Sequence, residues 1–153
     1  MKTWIGRILL AFAIFTLGYG LGRESGLARA APGAPPTAAP GADKVLVYYL
    51  HTTFRCVTCN GIEKLARDTV AARFGAELAT GRVEWQVANF QEREDLATRY
   101  AVSSSTVVVV KVRDGKEIAW QRLDEVWTLH ERPEAFAEYI AGAVSTYLAE
   151  TAP

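Results

Sequence analysis

The two cysteines of this chain are separated by two residues, in Cys56-Val57-Thr58-Cys59. This spacing beside a β-α-β pattern reads as a redox pair, because the sulfurs can close a disulfide and reopen it by thiolate exchange. A thiolate is the reactive species, and it is favoured where backbone N–H groups lack partners and a helix macrodipole presents its positive end. Cys56 falls where a strand pattern stops and a helix pattern starts, so it is the candidate nucleophile. Cys59 lies about one helical turn further in and is the candidate resolving thiol.

Three neighbours are candidates for a supporting role. Arg55 adds a cation beside Cys56, and the Thr58 hydroxyl can be donated toward the Cys56 sulfur. His51, in the loop before the motif, can take up a proton or stabilise a thiolate; a solvent-exposed loop histidine is the plain alternative. Two other readings of the cysteines stay open. One is an inert disulfide, although so short a loop removes little unfolded-state entropy. The other is a thiolate site for a soft metal or arsenic(III) species. A closed zinc site needs about four ligands, and Cys56, Cys59 and His51 supply three, so zinc would have to be shared between chains. No metal or cofactor is assigned. The sequence has no G-x-S-x-G, no phosphate loop and no basic patch interleaved with aromatics, so nucleic acid is not an expected partner.

The elements that position the pair follow from hydrophobic periodicity. Lys44 to Leu50 (KVLVYYL) is a nearly unbroken apolar run, the mark of a strand buried on both faces. From Cys56 or Thr58 to about Ala79, the residues Ile62, Leu65, Ala66, Thr69, Val70 and Phe74 give a helix one core face, with Gly81 past its end. Val83, Trp85 and Val87 alternate with polar residues, as in a strand near a sheet edge. Gln91 to Tyr100 reads as a short helix anchored by Leu96, Ala97 and Tyr100. Thr106 to Val112 (TVVVVKV) is a second buried strand, Asp114-Gly115 a hairpin turn and Lys116 to Gln121 its return strand. Pro133 opens a last helix with Phe136, Tyr139, Ile140, Ala143, Val144, Tyr147 and Leu148 inward. Trp120 and Trp127, on either side of Asp124-Glu125, read as packing residues, with a binding platform as the alternative. The order β-α-β-α-β-β-α, taken as two β-α-β crossovers and a terminal hairpin and helix, implies an α/β fold with a mixed central sheet flanked by helices.

This arrangement resembles the thioredoxin superfamily over Asp43 to Leu148. Within it, Tyr48-Tyr49-Leu50-His51, Arg55-Cys56-Val57-Thr58-Cys59 and Ile62-Glu63 resemble the bacterial thioredoxin-like ArsF family, described as a nitrophenyl compound nitroreductase subunit. The resemblance implies a thioredoxin-like fold and thiol–disulfide exchange with a protein dithiol or disulfide partner. The ArsF-like name adds a link to the reduction of nitroaromatic or arsenical compounds. The chain departs from ordinary thioredoxins at three places. Val57-Thr58 stands for Gly-Pro, a position near Tyr48 stands for a buried Asp, and Thr106 (or Ser105) stands for a cis-proline. Thr53-Phe54-Arg55-Cys56 is similar to the T-x-x-C of peroxiredoxin-like proteins, but the proline that should precede it is missing.

The chain of 153 residues has no net charge, but its ends differ. Lys2, Arg7, Arg23 and Arg29 face only Glu24 before Asp43; the remainder carries thirteen basic and sixteen acidic residues. A basic start followed by the apolar stretch Ile8 to Leu17 predicts a secretory signal peptide or an uncleaved membrane anchor within residues 1–27. Trp4 to Leu21 approaches the ~20 residues a span needs, and Ala28-Arg29-Ala30 offers a cleavage site. Residues 28–42 hold four of the six prolines among Ala and Gly, a linker composition. Residues 43–153 are then an extracytoplasmic domain, in the bacterial periplasm or tethered to the outer face of the inner membrane. Its expected partners are a protein thiol or disulfide and a membrane electron carrier.

Overall fold

A computed structural model describes residues 43–150. The expected signal or anchor (1–27) and linker (28–42) lie outside the described residues. Among the described residues, no helix is long and apolar enough to cross a membrane.

Four strands form one sheet in the order β2-β1-β3-β4: β1 (Lys44–His51), β2 (Val83–Asn89), β3 (Thr106–Arg113) and β4 (Lys116–Leu123). β1 runs parallel to β2 and antiparallel to β3, and β3 antiparallel to β4. The helices are α1 (Val57–Arg73), α2 (Gly75–Thr80), α3 (Glu94–Arg99), α4 (Val126–Leu129) and α5 (Pro133–Glu150). This is a thioredoxin-like α/β fold with a mixed four-stranded sheet flanked by helices.

The unbroken apolar runs of β1 and β3 come from their central places, where both sheet faces are covered. Val45, Val47 and Tyr49 of β1, with Val107 and Val109 of β3, meet Ile62, Ala66 and Val70 of α1 and Phe136, Ile140 and Val144 of α5. Leu46, Tyr48 and Leu50, with Val108 and Val110, meet Leu96 and Tyr100 on the other face. The alternating β2 is an edge strand, with Val83 buried and Val87 exposed. At the hairpin, Asp114 and Gly115 take φ of 52° and 73°, the left-handed pair that a type I′ turn needs.

The structure corrects the expected topology at one point. Only β1-α1-β2 is a parallel crossover; β3 is antiparallel to β1. The length of α3 gives the reason. Its six residues rise about 9 Å, whereas returning along the seven residues of β2 takes about 23 Å. The chain therefore re-enters the sheet at the end where it left, and β3 starts opposite Leu50. Two smaller differences follow local chemistry. The helix expected to run to about Ala79 breaks at Phe74 (φ −128°, ψ 30°), a buried side chain followed by the poor helix former Gly75, and resumes as α2. The four-residue α4 is too short to leave a periodic signal, and it buries Val126 and Leu129.

Candidate active site

The site is built where the C-terminal end of β1 turns into α1. Cys56 caps the helix with extended backbone (φ −82°, ψ 166°), and its Sγ accepts the Cys59 backbone N–H at 3.0 Å. Sulfur thus takes the place that an oxygen holds in an ordinary N-cap, meeting one of the unpaired donors of the first turn. Cys56 and Cys59 are joined as a disulfide, with Cα atoms 5.1 Å apart. Cys56 is half-buried and Cys59 is 7 % exposed, so the first cysteine is the more open one. Beside Cys56, Phe54 and Val57 are 84 % and 89 % exposed, which is unusual for side chains of their kind.

The loop between β1 and α1 is held to the loop after β2. Gln91 Oε1 accepts the Thr53 backbone N–H at 2.8 Å, and Asn89 Nδ2 donates to Thr53 Oγ1 at 2.8 Å. Phe90 N–H donates to the His51 carbonyl at 3.0 Å.

Tyr49 is the residue that ties this site together, and the sequence did not single it out. Its hydroxyl donates to the Cys59 carbonyl at 2.6 Å. Its ring stacks on His51, with centroids 6.3 Å apart, and the Arg55 guanidinium sits 5.8 Å from the ring centroid. Burial pushes the Tyr49 phenol above its ordinary range, against the pull of the Arg55 charge and of hydrogen bonds from Ser105 and Arg55. The position compared with the buried Asp of thioredoxins must be corrected accordingly. Tyr48 faces the α3 side of the sheet, and Tyr49 is the strand residue that faces the cysteine helix.

The supporting candidates divide. Arg55 is adjacent to Cys56, but its guanidinium is paired with Glu63, which also lies 4.0 Å from Arg67. Its charge is therefore shared rather than directed at sulfur alone. Among the described residues, the donor to Cys56 Sγ is the Cys59 backbone N–H and not the Thr58 hydroxyl. His51 Nδ1 donates to the Thr52 carbonyl at 2.8 Å; a carbonyl only accepts, so Nε2 carries the lone pair in the neutral ring. Thr106 is buried with all-trans backbone around it, and its hydroxyl donates to the Leu123 carbonyl at 3.2 Å. Ser105, the residue before it, is also buried, and its influence lowers the Tyr49 phenol against the push of burial. Trp127 is partly exposed and is held here by its indole N–H, which donates to the Ser105 carbonyl at 2.7 Å. Trp120 meets Tyr100 edge to face, with centroids 5.6 Å apart. Among the described residues, no group of three or more His, Cys, Asp or Glu side chains is placed to hold a metal ion.

No protein-family model and no curated protein sequence matches the chain. Among solved structures it is similar to Trxlp from Edwardsiella tarda, at 17 % identity over 67 % of this chain and 84 % of that one, with a TM-score of 0.41. It is also similar to Fasciola hepatica thioredoxin (18 % identity, 61 % of this chain, 81 % of that one, TM-score 0.37). A third is thioredoxin from Trypanosoma brucei brucei (13 % identity, 71 % and 97 %, TM-score 0.40). At these scores the thioredoxin-like character of the domain rests on its strand order and strand directions, with the disulfide at the head of α1.

Proposed function

We propose that this protein is an extracytoplasmic thiol–disulfide oxidoreductase, tethered to a membrane, that exchanges electrons with a protein partner through Cys56 and Cys59. The observation that carries this reading is the Cys56–Cys59 disulfide at a helix N-terminus, with the capping sulfur the more open of the two. In the reducing direction the Cys56 thiolate attacks one sulfur of a partner disulfide. The partner's other sulfur leaves as a thiolate and takes a proton from water. Cys59 then loses its proton to solvent and attacks Cys56 Sγ, and the partner's second sulfur departs as a thiolate and takes a proton from water in turn. Two electrons and two protons pass to the partner, and the Cys56–Cys59 disulfide is left behind. The oxidising direction is the reverse, and a reduction potential measured against glutathione assigns it.

The ArsF-like kinship belongs to this proposal as well. Of the stretch that carries it, Tyr49, His51, Arg55, Cys56, Cys59 and Glu63 meet at one place. The export and tether rest on the basic start, apolar segment and Ala/Pro linker of residues 1–42. A reporter fused after Pro153 should be active outside the cytoplasm; activity confined to the cytoplasm refutes that part.

The exchange cycle is tested by trapping. Cys59→Ser keeps the attacking thiol and removes the resolving one, so cells expressing it should accumulate covalent complexes that dissolve in a small thiol reductant. Cys56→Ser should accumulate far fewer, because the buried Cys59 is a poor first attacker. A structural disulfide predicts no complexes from either variant. A soft-metal or arsenic(III) site predicts loss of ion retention from both.

A further inference from the structure

We propose that Tyr49 is a positioning residue for the resolving step, its hydroxyl holding the Cys59 turn of α1 against the sheet so that the Cys59 sulfur is aimed at Cys56. The inference rests on the exchange mechanism just described and adds a residue to it.

The first turn of a helix is its least constrained part, because its N–H groups have no intrahelical partners. Both sulfurs sit there. While the disulfide is closed it holds the turn, but after Cys56 is bound to a partner that restraint is gone. Besides the helical ladder, what remains at Cys59 is its N–H bond to Cys56 Sγ and the bond from Tyr49 to its carbonyl. A carbonyl has two lone pairs, so the Tyr49 bond adds to the helical ladder and does not replace part of it.

Tyr49 is well placed to act as a fixed anchor. It lies on a central strand, is 0 % exposed, and is bracketed by the His51 ring and the Arg55 guanidinium. The ring therefore cannot follow the helix if the helix shifts. Attack by Cys59 on a mixed disulfide needs its sulfur in line with the bond that breaks, and small losses of alignment are costly to rate. Attack by Cys56 on an incoming disulfide does not need Cys59 in place. The hydroxyl should thus matter for the second step and hardly for the first.

The test uses the reduced full-length protein and the aromatic disulfide dithiobis(nitrobenzoate). Cys56 attack releases one coloured thiolate and forms a mixed disulfide. Cys59 attack then releases the second and closes the protein disulfide. Tyr49→Phe removes the hydroxyl but keeps the ring. Its second release should slow about five-fold, the factor that one hydrogen bond of ordinary net strength is worth, with the first release within about two-fold of the parent. Tyr48→Phe removes a hydroxyl from the same strand on the opposite face, and should behave as the parent. The slowing should appear in the high-pH plateau of the second release, with the midpoint unmoved. The proposal is overturned if both releases slow alike, if Tyr48→Phe slows the second release equally, or if only the midpoint moves. If the parent itself never releases a second equivalent, the exchange mechanism and the role of Tyr49 fall together, which separates that failure from the others.

Discussion

The guanidinium of Arg55 is bound to the carboxylate of Glu63, two turns into the helix that Cys56 opens. An arginine beside a candidate nucleophile would ordinarily favour its thiolate, but here a carboxylate offsets that field. Removing Glu63 should release the arginine to act on sulfur. Reduced Glu63→Gln should hold more thiolate at neutral pH than the parent, read by ultraviolet absorbance, and alkylate about two-fold to five-fold faster with iodoacetamide. Arg55→Ala should move both readouts the other way, but less, because it removes a half-neutralised charge. If Glu63→Gln lowers the thiolate fraction, the pair is not opposing Cys56.

Phe54 and Val57 leave an apolar surface on both sides of the more open cysteine. Their exposure has no folding benefit, so replacing them should cost little stability, within about 0.5 kcal/mol. Exchange with a folded protein disulfide should suffer instead. Phe54→Ser with Val57→Ser, which remove the apolar surface without adding charge beside the thiolate, should slow reduction of a protein substrate such as insulin about ten-fold. The first release from dithiobis(nitrobenzoate), which touches little surface, should change less than three-fold. Equal losses on both substrates would mean that the pair acts on the cysteine itself.

Gly115 completes the β3–β4 hairpin at φ 73°, with open space where a Cβ would stand. Steric crowding is therefore absent, and the cost of a side chain there is the left-handed backbone alone. Gly115→Ala should lower stability by about 1 kcal/mol, read as a shift in the urea midpoint at unchanged slope. A shift in slope would show a change in cooperativity instead.

Much of this architecture was legible because its signals are local. The hairpin announced itself in Asp114-Gly115, α5 in Pro133, and the central strands in their unbroken apolar runs. The same unbroken runs hid the key contact. A strand buried on both faces has no polar alternation to say which parity faces which helix, so Tyr48 and Tyr49 look alike in the sequence. Only the register and packing assign Tyr49 to the cysteine side. The direction of β3 was readable in principle from the shortness of the segment around Leu96, which cannot return a chain along a strand. The Arg55–Glu63 pair depends on rotamers across elements and leaves no sequence period.

The edge of the sheet provides a test that is independent of the cysteines. Lys44 of β1 donates to Glu84 of β2 at 2.6 Å, diagonally across the parallel ladder because Glu84 stands opposite Leu46, and Gln86 donates to the same carboxylate at 2.5 Å. Partial burial pushes the Glu84 carboxyl up, but the hydrogen bonds from Lys44 and Gln86 and the Lys44 charge outweigh it, so Glu84 titrates below its ordinary value of 4.5. A carboxylate whose folded value is depressed binds protons more readily when unfolded. Its contribution to stability is therefore fully present above the unfolded value and is lost as pH falls through it toward the folded one. Both groups are about a third exposed, so solvent screening keeps the contribution within the ~1 kcal/mol of a surface pair. Lys44→Met should destabilise the protein slightly at pH 7, and the gap between variant and parent should narrow as the pH drops below 4.5. Urea unfolding at several pH values measures it. A gap that widens on acidification would show that Lys44 stabilises β1 through packing of its stem and not through Glu84.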